Sequence, residues 1–141
     1  MAPTSDPDRF DVIEATVAEI HAAMEAGTIT ARRLVDRYLD RIDAYDDDLN
    51  AILTINPTAR ERAERLDDAF ESRGFVGPLH GIPVLLKDNQ DTHDMPTTAG
   101  SVTLSDSVPG RDAHVVERLR EAGAVVLAKT NLQEFSFGVD T

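Results

Sequence analysis

Two side chains carry most of the chemical interest of this 141-residue chain, and both are lysines. Lys87 ends the apolar run "PVLLK" and Lys129 follows "AVVLA", while arginine supplies the rest of the positive charge. An ammonium at the end of an apolar strand is a candidate base. Burial disfavours its charged form and lowers its pKa from about 10.4, sometimes by several units. Lowering it by about three costs about 4 kcal/mol, which suits a catalytic base better than a scaffold. Alternation along the strand places Lys87 with Leu85 on one face and Val84 with Leu86 on the other. The competing reading of Lys87 is an ion pair with Asp88 or Asp91.

Other constellations offer less. Glu19, His21 and Glu25 sit within one helical segment, but only His21 and Glu25 share a face, so a solvated helix surface is expected rather than a metal site. No H-E-x-x-H and no phosphate-binding glycine loop is present; "AGTITA" and "GPLHG" lack the spacing. His80 lies in a Gly/Pro turn and His114 in a first helical turn, positions where an imidazole caps or meets solvent. The chain has no cysteine, which removes disulfides, zinc-thiolate sites and thiol nucleophiles. No cofactor is expected.

The elements that must position these groups are legible from periodicity. Residues 1–10 are rich in Pro and Asp and read as a disordered tail, with one domain portion over 11–141. Thr16 caps a helix bearing Val17, Ile20, Ala23 and Met24 on one face, which Gly27 stops. A second helix opens after Thr30 with Leu34, Val35, Tyr38, Leu39 and Ile42 as its stripe; the two are expected to form a helical hairpin. Ala51 to Ile55 reads as a strand ended by Asn56-Pro57. A third helix is predicted from about Thr58 to Ser72 and closed by Gly74. A strand at Pro83 to Lys87, a long ordered loop from Asp88 to Arg111, a helix from about Asp112 to Glu121 and an apolar strand from Ala124 to Ala128 complete the chain. Strand, helix and all-apolar strand in succession predict a crossover joining a buried parallel pair.

Composition narrows the partners. The 26 acidic against 14 basic residues give a net charge of −12, which argues against nucleic acid and anionic membrane. The surplus is mostly aspartate, dispersed along the chain. With so little lysine this fits a halophile protein working in concentrated salt, where self-repulsion is screened; an ordinary acidic protein is the alternative. The N-terminal "MAPTSDPDRFD" has no basic region followed by an apolar one, and no run approaches the roughly 20 apolar residues of a membrane span. A soluble, cytoplasmic protein is expected.

The blocks "GPLHGIPVLLKDN" (Gly77 to Asn89), "PTTAGS" (Pro96 to Ser101) and "DAHVVERLREAGAVVLAKTNLQEF" (Asp112 to Phe135) occur in order. Together they closely resemble the amidase signature family, and the likeness extends more loosely back to Leu34. The resemblance implies an α/β fold: a mixed sheet covered by helices, of which this chain would hold the N-terminal hairpin and first strands. It also implies a Ser-cisSer-Lys mechanism in which Lys87 is the base. The family's two serines and its oxyanion-hole donors belong to a Gly/Ser-rich stretch after the K-T-N block, and these 141 residues contain none. Ser101 and Ser136 do not occupy the nucleophile's place. Asp88, Thr97, Thr98, Gly100 and Ser101 are expected to shape the site as a loop walling a concave surface into which Lys87 points from a central strand. Lys129 is expected to fix a strand end through a buried contact. Gln90, where the family commonly has an apolar residue, and Ala128, where a glycine often stands, bear on substrate detail only.

Three functions follow from the resemblance and the length. The first is hydrolysis of a carboxylic amide, with a small-molecule amide as partner. The second is the glutaminase subunit of a tRNA-dependent amidotransferase, partnered by its other subunits; a homodimer suits either. The third, of another class, is a noncatalytic binding or assembly module.

Overall fold

The computed structural model describes residues 10–138. Four helices, α1 (Val17–Glu25), α2 (Ala31–Leu49), α3 (Ala59–Arg73) and α4 (His114–Glu121), surround three strands, β1 (Ile52–Ile55), β2 (Pro83–Lys87) and β3 (Val125–Thr130). The sheet is mixed, in the order β1-β3-β2: β3 runs parallel to β2 and antiparallel to β1. The helix α4 therefore sits in the crossover that the sequence predicts. Apolar from Val125 to Ala128, β3 takes the middle position among the described strands, with Val125 to Lys129 all buried. Among the described strands β2, expected to be central, lies at one side of β3.

Local chemistry sets the helix ends. Thr16 and Glu19 form a reciprocal capping box on α1, so Glu19 serves its own helix. Thr30 caps α2 through the Arg33 amide, and Asp67 of α3 accepts from the amides of Ala31 and Arg32 at 2.7 and 3.0 Å. Asp36 pairs with Arg60, and Arg32 with Glu64. These contacts fix α2 antiparallel to α3, and α1 joins both helices in one core through Ile20 and Met24. At the end of β1, Asn56 is buried; its Oδ1 accepts from the Thr58 amide at 2.9 Å and its Nδ2 donates to the Val126 carbonyl at 2.8 Å. One amide thus turns the chain into α3 and ties it to β3.

Two cores lie on opposite faces of the sheet. Ile20, Met24, Ile29, Leu34, Val35, Leu39, Ala63 and Leu66 pack with Val125 and Leu127. Leu86, Met95, Val116 and Val126 form the smaller cluster under α4. Phe10 packs against the first core and its carbonyl accepts from Arg37, so the expected tail does not include it; residues 1–9 lie outside the described residues. Between α3 and β2 the "GPLHG" loop runs against the turn after α4. Leu79 and Gly81 donate to the carbonyls of Ala122 and Gly123 at 2.9 Å. Gly123, at φ +94°, passes so close that an added Cβ would lie 2.8 Å from the His80 Cα.

His80 is not at a solvent-facing turn but fully buried, among Phe70, Phe75 and His21. Its Nδ1 accepts from the Val76 amide at 3.2 Å. His21 reaches the His80 carbonyl at 3.0 Å, so it too is committed to this cluster. Burial, and then the neighbouring His21, hold the His80 pKa below its ordinary 6.5. Below about pH 6.5 the unfolded chain binds a proton that the folded chain refuses, so stability is complete above that pH and falls as pH drops through it. Urea midpoints at about pH 7.5 and about pH 5.5 should therefore differ more for the wild type than for His80→Asn. Equal differences would remove His80 as the cause.

Candidate active site

Lys87 closes β2 in register with Thr130 of β3, which in turn pairs with Ile52 of β1. Its side chain is exposed and leaves β2 on the face of Leu85. Among the described residues no hydrogen bond or ion pair engages its amine. The expected partner Asp88 points to the other face and is occupied: its Oδ1 accepts from Lys129 Nζ at 2.8 Å, and its Oδ2 accepts from the Thr98 amide at 3.1 Å and from the Thr98 hydroxyl. Asp91 makes no ion pair among the described residues either. The ion-pair reading of Lys87 therefore has no support in this geometry.

The loop from Asp88 to Ser101 is ordered by a polar hub. Lys129 is fully buried, and its three N–H groups meet Asp88 Oδ1, the Thr97 Oγ1 at 3.0 Å and the Pro96 carbonyl at 3.2 Å. An ammonium so engaged has no lone pair to offer, which leaves Lys129 a structural ion rather than a base. The Ala99 amide donates to the Asp88 carbonyl at 2.8 Å, and the Gly100 amide to Thr98 Oγ1 at 3.1 Å. Gly100, at φ +74°, lies under the following segment: a Cβ there would stand 3.1 Å from the Leu132 carbonyl. Ser101 is buried and precedes a short 3-10 turn, Val102–Leu104. Asp88 and Thr97 thus meet Lys129, and Thr98 meets Asp88, whose carboxylate lies on the sheet face opposite Lys87.

The concave surface on the Lys87 face is a different one. Leu85, Pro83, Leu127 and Ile52 face Tyr38, Ile42, Tyr45 and Leu49 of α2 across an open apolar cleft of about 510 Å³. Within the described residues the 88–101 loop, expected to wall a concavity around Lys87, does not line this cleft, and the amine is exposed. The sequence held a signal for the first point. Alternation continued one residue past Lys87 returns Asp88 to the face of Leu86.

A second polar cluster, which no motif or spacing singles out, joins His93, Asp94 and Asp112. Arg120 occupies its centre, with Nη2 at 2.9 Å from both Asp94 oxygens and Nε at 2.9 Å from Asp112 Oδ2. Burial pushes the Asp112 carboxyl up, but hydrogen bonds from the His93 amide and ring and the Arg120 charge outweigh it and hold the carboxyl below its usual range. A guanidinium bound by both carboxylates leaves no cation site, so the cluster clamps the loop to α4. His114 is exposed, as its place in the sequence predicts.

What the fold and site define is an α/β unit with a lysine at one sheet end, its amine unengaged among the described residues, and a buried lysine–aspartate hub behind it. Residues 33–141 match the Amidase family, and the chain belongs to that family. It is 43% identical over 122 residues to a glutamyl-tRNA(Gln) amidotransferase subunit from an Exiguobacterium strain, covering 86% of this chain and 25% of that protein. A probable amidase of Arabidopsis thaliana is 42% identical over 130 residues, or 90% of this chain and 25% of its own length. Among solved structures, the native peptide amidase from Stenotrophomonas maltophilia superposes with a TM-score of 0.83 at 46% identity, over 86% of this chain and 26% of that one. The chain spans about a quarter of the length of these relatives. Among the described residues no helix is long and apolar enough to cross a membrane.

Proposed function

We propose that the complete protein hydrolyses a carboxylic amide and that Lys87 is its base. The observation that carries this reading is the amine of Lys87 at the end of β2, unengaged among the described residues, in a chain whose other lysine has every N–H bound. In the scheme that the family resemblance implies, Lys87 takes a proton, relayed through a second serine, from a serine hydroxyl supplied outside these 141 residues. The serine oxygen attacks the amide carbonyl. The tetrahedral intermediate expels ammonia or an amine, which leaves with the relayed proton, and water then releases the carboxylate from the acyl-enzyme. For Lys87 to act in this way, further chain must cover the Lys87 face and desolvate the amine.

A second reading is favoured by the amidotransferase relatives. In it the amide is glutamine and the ammonia passes to a partner subunit. Ammonia release from simple primary amides and from glutamine, by the complete wild-type protein and by Lys87→Ala, tests both. Hydrolysis of primary amides that Lys87→Ala abolishes supports the amidase, and turnover of glutamine alone that needs added subunits supports the second reading. Activity unchanged in Lys87→Ala refutes the base in either. The acidic composition supports work in concentrated salt: the thermal midpoint should rise between about 0.1 M and about 2 M salt as self-repulsion is screened. An unchanged or falling midpoint would count against that environment.

A further inference from the structure

We propose that the buried Lys129–Asp88 pair is a positioning device for the Lys87 amine, an inference that rests on the reading of Lys87 as the base. Lys87 is the last residue of β2, and the end of a strand frays unless something holds it. Here both flanking residues are anchored. Leu86 is packed in the core under α4, and Asp88 is 1% exposed, with both carboxylate oxygens bound. The Asp88 amide donates to the Thr130 carbonyl at 3.1 Å, and the Gln90 amide donates to the Lys87 carbonyl at 2.9 Å. The backbone of Lys87 is therefore held from both sides, and only its side-chain rotamers remain free.

The hold depends on one cation. Lys129 stands on β3 beside Leu86, and its ammonium joins the Asp88 carboxylate to Thr97 and Pro96. Through Thr98, the same carboxylate orders the turn that continues to Gly100 and Ser101. The ammonium sits on the opposite sheet face from Lys87, so it acts through the backbone of β2 and not on the reacting atoms. Lys129, Asp88 and Thr98 are positioning residues in this scheme.

An apolar pair tests this, because replacing a buried ion pair by packed apolar side chains commonly preserves stability. In the complete protein, Lys129→Met/Asp88→Leu should fold with a near-wild-type thermal midpoint, lower kcat by about 10²-fold and leave KM within about threefold. Thr98→Val, which keeps the ion pair and the side-chain volume, should lower kcat by about tenfold with KM unchanged, and it decides the matter if the double variant does not fold. Wild-type kcat in the folded double variant, or in Thr98→Val if the double variant does not fold, would show the pair to be structural only and overturn the proposal. Lys87→Ala in parallel separates the two failures. If that variant is inactive while the double variant keeps full kcat, only the positioning role falls; if Lys87→Ala is fully active, the base reading falls and takes this one with it.

Discussion

The 141-residue chain by itself should release no ammonia from any amide. Lys87 can accept a proton, but hydrolysis also needs a hydroxyl within reach and donors aimed at the developing oxyanion. Loss of a single oxyanion donor typically costs about 10² to 10³ in rate, and these residues include no Gly/Ser-rich segment to supply donors or nucleophile. Ser101 is buried, and its amide donates to the carbonyl of Thr98, whose side chain binds Asp88 of the Lys129 hub. The assay is ammonia release by the purified chain beside the complete protein. Turnover by the short chain that disappears in Ser101→Ala would place the nucleophile within it and break the scheme.

The second large effect is on stability. Lys129→Met in the same chain should cost about 3 to 5 kcal/mol, because it strands the Asp88 carboxylate at 1% exposure with only Thr98 to bind it. Denaturant unfolding of the single variant and of Lys129→Met/Asp88→Leu measures this, the double variant recovering most of the loss. Native acetylation gives an independent check with two lysines to read: Lys87 should be modified in the folded chain and Lys129 only after unfolding. A single variant as stable as wild type, or Lys129 acetylated as fast as Lys87, would contradict the buried hub.

Particular residues show how far the sequence reaches. The bounds of β2, Pro83 to Lys87, are legible because a proline opens the apolar run and a charge ends it. The crossover through α4 follows from the apolar run Ala124 to Ala128, which belongs in the middle of a sheet. The predicted end of β3 at Ala128 falls short of Thr130 because Lys129 looks like a terminator until Asp88, 41 positions away, is seen to neutralise it. His80 defeats a local reading for the same reason. A Gly/Pro context suggests exposure, whereas Phe70, Phe75 and the turn at Gly123 enclose it. The α2–α3 pairing depends on Asp67 reaching the start of α2, a contact that helical periodicity does not encode. The face of Lys87 is legible by alternation with Leu85, and the same alternation, carried on to Asp88, gives the face the loop takes.

The claim that Lys87 is the base is tested most directly by chemical rescue. In the complete protein, Lys87→Ala leaves the space of the missing side chain, into which a small primary amine such as methylamine can bring the missing base. Amide hydrolysis by Lys87→Ala should fall to background and then rise in proportion to the concentration of unprotonated amine, while the wild-type rate stays unchanged. Hydrolysis by Lys87→Ala at the wild-type rate without any amine would contradict the account.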